Sequence, residues 1–144
     1  ATSDRMMGGQ SDARIALGSG GAEGSAGALR VEGEVIAGAA MAWAGALFNP
    51  GAQPMQPVDA SAATTLEFWL RGDGREVAVL VFSGVSEQSP PSAVMLRATP
   101  VWTQHRIALS AFAGADPSRL RAIGFTVGQP PGRFGFQLDG VALH

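Results

Sequence analysis

Three side chains with recognition chemistry stand at alternate positions: the carboxylate of Glu67, the indole of Trp69 and the guanidinium of Arg71. In a strand that spacing puts all three on one face, with Leu66, Phe68 and Leu70 on the other. Gln104 and Arg106 share a face of a later run, and Gln137 lies on the last one. Should these strands adjoin, a ring flanked by charged and amide groups would line a concave sheet. Such a surface can stack on the apolar face of a sugar and hydrogen-bond its hydroxyls. The same alternation also describes a solvated sheet face with a partly covered indole. Periodicity leaves both readings open.

Groups able to do covalent or acid–base chemistry are few. The histidines are His105 and His144. His105 alternates with Val101, Thr103, Ile107 and Leu109, as a half-buried structural histidine would. No Gly-x-Ser-x-Gly elbow, His-Glu-x-x-His pair or Walker loop is present. Glu32 and Glu34 share one strand face, the position of carboxylates that look to water. Gly18–Gly24 is glycine-rich like a phosphate loop, but the run Leu29–Val35 after it alternates as a strand. A dinucleotide site instead needs a helix whose first amides face the phosphate. The expectation is a hairpin loop there and no catalysis within the domain.

The elements that must position these groups are short strands punctuated by glycine and proline. Strands are expected near 12–18, 28–37, 42–49, 64–72, 75–83, 92–98, 101–109, 119–128 and 133–143. Residues 39–48 would suit a helix on propensity alone. Helical turns are expected at 110–114 and at Pro117–Leu120, the latter capped by Asp116. Asn49–Ala60, with three prolines, reads as a long surface loop. The central prediction is a hairpin over 66–82: a half-polar strand, a turn at Gly72-Asp73-Gly74, and Val77–Phe82 covered on both sides. The fold class is all-β, an antiparallel β-sandwich in which 1–144 form a single domain.

Composition narrows the partners. The chain has 144 residues and a net charge of −2, with acids and arginines interspersed. No basic stripe suggests nucleic acid, and no apolar run suggests membrane insertion. Cysteine, lysine and tyrosine are absent while Ala, Gly and Arg abound, as GC-rich codon usage would produce. The missing thiols leave compartment undetermined. The first residue is Ala1, which suggests processing or excision from a longer protein.

The segment Asp4-Arg5-Met6-Met7-Gly8-Gly9-Gln10-Ser11 is the most distinctive. Its glycines permit a tight reversal, Ser11 can bond local amides, and Met6 and Met7 are expected to pack under the sandwich. Asp4-x-x-Met7-Gly8-Gly9-x-Ser11 resembles the opening signature of the complex I intermediate-associated protein family. The likeness continues through Gly27–Val35, Trp43–Phe48, Leu70-Arg71-Gly72-Asp73-Gly74-Arg75, Ile123–Phe125 and Gly132–Val141. The chain departs from the family pattern after Arg75, where Glu76-Val77 replace a usual aromatic.

The resemblance implies a galactose-binding-like jelly roll, the fold of many carbohydrate-binding modules. It also implies structural roles for Asp4, Met7, Gly8, Gly9, Ser11, Gly72, Asp73 and Gly74. In eukaryotes the family serves respiratory complex assembly; in bacteria it occurs alone or appended to larger enzymes such as amidohydrolase-type proteins. The expectation is therefore a non-catalytic module that docks on a protein client or a neighbouring domain. The alternative is carbohydrate binding through Glu67, Trp69, Arg71, Gln104, Arg106 and Gln137. No cofactor is expected. Structural calcium, which jelly rolls of this kind often carry near their termini, would have to draw on the scattered Asp4, Asp59 and Asp139. Asp59 with Ser61 more simply caps a turn, while Trp43 and Trp102 are expected in the core or at its rim.

Overall fold

A computed structural model describes all residues, 1–144, as ten strands in two antiparallel five-stranded sheets. The strands are β1 (Thr2–Ser3), β2 (Asp12–Ser19), β3 (Gly27–Val35), β4 (Ala44–Phe48) and β5 (Thr65–Gly72), followed by β6 (Glu76–Ser83), β7 (Ser92–Arg97), β8 (Thr103–Ala108), β9 (Leu120–Val127) and β10 (Gly132–Leu143). The first sheet has the order β1-β4-β9-β6-β7 and the second β2-β3-β10-β5-β8. All nine expected strands are present, joined by the two-residue β1. Residues 39–48 resolve as β4 preceded by turns. The loop after β2 is a hairpin loop, since β2 and β3 pair antiparallel from Asp12↔Glu34 to Ser19↔Gly27. The turns near 110 and 117 are short 3-10 turns, and the Asp116 side chain accepts from the Ser118 amide as its N-cap.

The core fills the space between the sheets. Leu66, Phe68 and Leu70 of β5 and Phe134, Phe136 and Leu138 of β10 meet Val77, Val79 and Val81 of β6 and Ile123, Phe125 and Val127 of β9. The rings of Phe68 and Phe125 meet edge to face, 5.0 Å between centroids, at the middle of this layer.

The segment 66–82 corrects the expected hairpin. β5 and β6 lie in different sheets, so Gly72-Asp73-Gly74 is an arch across the core and not a hairpin turn. Each strand buries one apolar face against the other layer; β5 pairs with β10 and β8, and β6 with β7 and β9, so neither pairs with the other. A turn whose glycines tolerate many conformations suits either topology, so local sequence does not separate them. Nor is β6 covered on both sides, because Ala78, Leu80 and Phe82 remain half-buried on the outer surface. The strand buried along its whole length is β9, at the centre of the first sheet.

Two polar staples join the layers. The Arg75 guanidinium donates to the carbonyls of Gly128 (2.8 Å) and Pro130 in the arch from β9 to β10, and to those of Gly132 (3.2 Å) and Arg133 (3.3 Å) at the start of β10. Asp73 accepts from the amides of Arg75 and Gly135, which ties the β5–β6 arch to the same place.

At the other staple, Asp4 is fully buried and its carboxylate accepts from the Ser11 amide (3.0 Å), the Ser11 hydroxyl (2.8 Å) and the Trp43 amide (3.1 Å). Ser11 Oγ in turn accepts from the Ile36 amide at 2.9 Å. Trp43 leads into β4 of the first sheet, and Ile36 leaves β3 of the second. Ser11 thus serves a distant amide, not the local ones expected of it. A Cβ on Gly9 would overlap the Asp4 carboxylate, which explains the glycine there; Gly8 takes a left-handed φ of 86°. Met6 and Met7 do not pack under the sandwich: they are 74% and 77% exposed. In the single 3-10 turn Asp4–Met7, the inward position belongs to Asp4, and the two thioethers are turned to solvent.

Candidate functional site

The outer face of the second sheet gathers every polar residue predicted from alternation. Pairing sets them in cross-strand rows, because residues opposite one another in antiparallel strands point to the same side. One row runs Ala16–Arg30–Gln137–Arg71 across β2, β3, β10 and β5. The next holds Asp139, Trp69 and Gln104, and a third holds Glu67 and Arg106 opposite Ala142. Adjacency of β10, β5 and β8, left open by the sequence, is what brings these groups together.

Side-chain bonds run both within these rows and between them. Arg71 Nε donates to Gln137 Oε1 at 2.5 Å, and the Arg71 guanidinium lies 4.8 Å from the Trp102 ring centroid. Gln104 Nε2 donates to Glu67 Oε1 at 2.8 Å, while Arg106 pairs with Glu67 Oε2 at 3.1 Å. His144 Nε2 stands 3.8 Å from the same oxygen. Glu67 is therefore a half-buried hub for three neighbours. Trp69 lies against a bulge where the β10–β5 register shifts between Asp139 and Ala142. Gly140 takes φ 58° in that bulge, and a Cβ there would sit 3.5 Å from the indole Cδ1. A bulge of this kind re-aims the side chains beside it.

A cavity of about 340 Å³, open to solvent, lies on this face around Arg30, Glu32, Arg71, Asp73, Pro100 and Gln137. It is centred one row away from the position that alternation alone suggests. Arg71 and Gln137 line it, whereas Trp69, Glu67, Gln104 and Arg106 flank it along the sheet. Arg30 and Glu32 were missed, although they alternate with the buried Val31; only the pairing of β3 with β10 shows that Arg30 joins the row and that Glu32 stands in the neighbouring one, opposite Gly135. Trp102 is half-buried, and the Arg71 guanidinium lies over its ring.

The remaining candidates have structural roles. His105 points inward and stacks on Phe68, with ring centroids 5.3 Å apart, and its buried Nε2 has no partner. Burial lowers its pKa below 6.5, the response of a base withdrawn from water. Asp4, Asp59 and Asp139 do not converge. Asp4 holds the inter-sheet staple, Asp59 accepts from Ser61, and Asp139 accepts from the Ala22 and Gly140 amides. No three His, Asp or Glu side chains gather as a metal site requires. Gly72, Asp73 and Gly74 form the arch between β5 and β6, and Gly72 and Asp73 also line the cavity.

No protein-family model matches this chain, and no curated protein sequence matches it. The complex I intermediate-associated resemblance therefore gains no support from sequence comparison. Solved structures do match. The family 11 carbohydrate-binding module of a cellulosomal cellulase of Clostridium thermocellum is 12% identical, with 91% of this chain and 81% of that one covered at a TM-score of 0.69. The same family's module in complex with a β-1,3-1,4-mixed-linked tetrasaccharide is 14% identical, with 91% and 82% covered at 0.67. A family 30 carbohydrate-binding module of another cellulosomal cellulase of that organism is 16% identical, with 90% and 81% covered at 0.67. At such identities the likeness is one of fold: the chain is an all-β jelly-roll sandwich of the kind these modules share.

Proposed function

We propose that this domain is a non-catalytic carbohydrate-binding module that takes its ligand on the outer face of the second sheet. The observation that carries the reading is the row Arg30–Gln137–Arg71, flanked by the indoles of Trp69 and Trp102 and opening on a 340 Å³ cavity. Glycan recognition needs this combination. Ring faces cover the apolar side of a pyranose, and fixed amides and guanidinium groups meet its hydroxyls in a bidentate way. The named carbohydrate-binding neighbours of the same fold support the assignment.

Affinity electrophoresis through gels containing soluble polysaccharides, neutral and acidic, is the direct test. Retardation by at least one polymer is expected, with at least a tenfold loss of affinity in Trp69→Ala and in Gln137→Ala. Absence of retardation across the panel, or retardation unchanged in both variants, would overturn the proposal.

A second reading, docking on a protein client or a neighbouring domain, comes from the family resemblance. Its support is the outer face of the first sheet. There the side chains of Leu47 and Leu80 close over Gly124, half-buried, and Met95 is 55% exposed. Attachment to a larger enzyme is compatible with either reading. Substitution of Leu80 by Asp would leave glycan retardation intact while abolishing co-purification with a client, if that face docks one.

A further inference from the structure

Arg71 carries more capacity for charge recognition than the fold uses. A guanidinium has five N–H donors in a planar fork. The Nε–H is engaged by Gln137, whereas the two Nη groups of Arg71 donate to no protein acceptor. Arg71 belongs to none of the four ion pairs in the chain. Yet it is half-buried and oriented from two sides, by the Gln137 amide and by the Trp102 ring beneath it.

The other charged groups around the cavity are already matched. Arg30 Nε faces Glu32 Oε1 at 3.5 Å. Asp73 accepts from the Arg75 and Gly135 amides. What remains is one positive, planar, pre-aimed group on the cavity wall.

We propose that Arg71 makes this face a receptor for acidic glycans, with the two Nη groups clamping the carboxylate of a uronic acid residue. The proposal rests on the carbohydrate-binding reading and names the sugar class of that site. Arg matches a carboxylate bidentately, and its contacts with Gln137 and the Trp102 ring restrict the side chain beforehand, so less rotamer freedom is lost on binding. Arg30 lies two strands away in the same row, about 9–10 Å along the sheet. The amide Nε2 of Gln137 lies between them, with Arg30 Nη2 and Gln137 Nε2 both 3.6 Å from where a Cβ on Gly18 would stand. The net charge of −2 means that the protein as a whole repels polyanions, so retention of one requires a local site.

The experiment compares polygalacturonate, alginate and hyaluronan with their carboxyl-esterified forms, which keep the backbone and lose the charge. Affinity electrophoresis and titration calorimetry at low and moderate salt provide the readout. At least one free-acid polymer is expected to bind tenfold or more tightly than its ester, with the difference shrinking as salt is raised. Arg71→Gln should erase that difference, Arg71→Lys should restore part of it, and Arg119→Gln, an equal charge loss at an exposed distant site, should leave it unchanged. Thermal melts of each variant separate loss of the site from loss of the fold. Equal binding of acid and ester, or binding confined to neutral glucans, overturns the acidic specificity while the carbohydrate-binding reading stands. Binding to no polysaccharide overturns both.

Discussion

Removing the carboxylate of Asp4 should weaken the whole domain although it touches no ligand. The group is fully buried and accepts from the Ser11 amide, the Ser11 hydroxyl and the Trp43 amide. Asp4→Ala leaves two backbone donors and one hydroxyl without that acceptor, in a space too enclosed for bulk water. An unsatisfied buried donor costs about 1–3 kcal/mol, and the penalties in one cluster are not additive, so about 3–5 kcal/mol is expected in total. Asp4→Asn keeps the shape but turns one acceptor into a donor, and should cost about 1–3 kcal/mol.

Ser11→Ala removes the acceptor for the Ile36 amide and should cost about 1–3 kcal/mol. Because Asp4 and Ser11 act as one unit, the double Ala variant should lose much less than the sum of the two. Urea unfolding followed by tryptophan fluorescence measures all four variants, with stability compared at constant slope. A loss below about 1 kcal/mol for Asp4→Ala, or strict additivity with Ser11→Ala, would refute the idea that this pair joins the sheets.

Two further outcomes arise from half-buried polar groups. Burial lowers the pKa of His105 in the folded state below its ordinary 6.5, so around that pH the unfolded chain binds more protons than the folded one. Stability should therefore be fully present above pH 6.5 and fall as the pH drops below that value; denaturation midpoints between pH 7.5 and 5 should show a decline that His105→Phe flattens, and an unchanged slope in that variant would assign the decline to other groups. Arg75→Lys should cost about 2–3 kcal/mol, since an ammonium cannot span the four carbonyls that the guanidinium engages. Hydrogen exchange should then accelerate around 128–133, and exchange unchanged there would count against the clamp.

Strand positions were legible because burial leaves a period-two imprint: Leu66, Phe68 and Leu70 face the core while Glu67, Trp69 and Arg71 face out, and both sets stand where alternation puts them. The weight of the Asp4-to-Ser11 segment was also legible, but its mechanism was not. A buried carboxylate that serves amides 7 and 39 residues away leaves no local periodic trace, and so Met6 and Met7 were assigned the interior that Asp4 occupies.

Sequence alone determined which side chains could face a ligand, because side-chain direction within a strand is a local property of the backbone. Which strands are neighbours depends on long-range pairing that short segments do not encode. That step turned the supposed hairpin at Gly72–Gly74 into an arch between layers. It also set Arg30 beside Gln137 and Arg71, and slid Trp102 beneath the guanidinium. The chemistry of the candidate face was therefore written along the chain, while its geometry came into being only when β3, β10, β5 and β8 met.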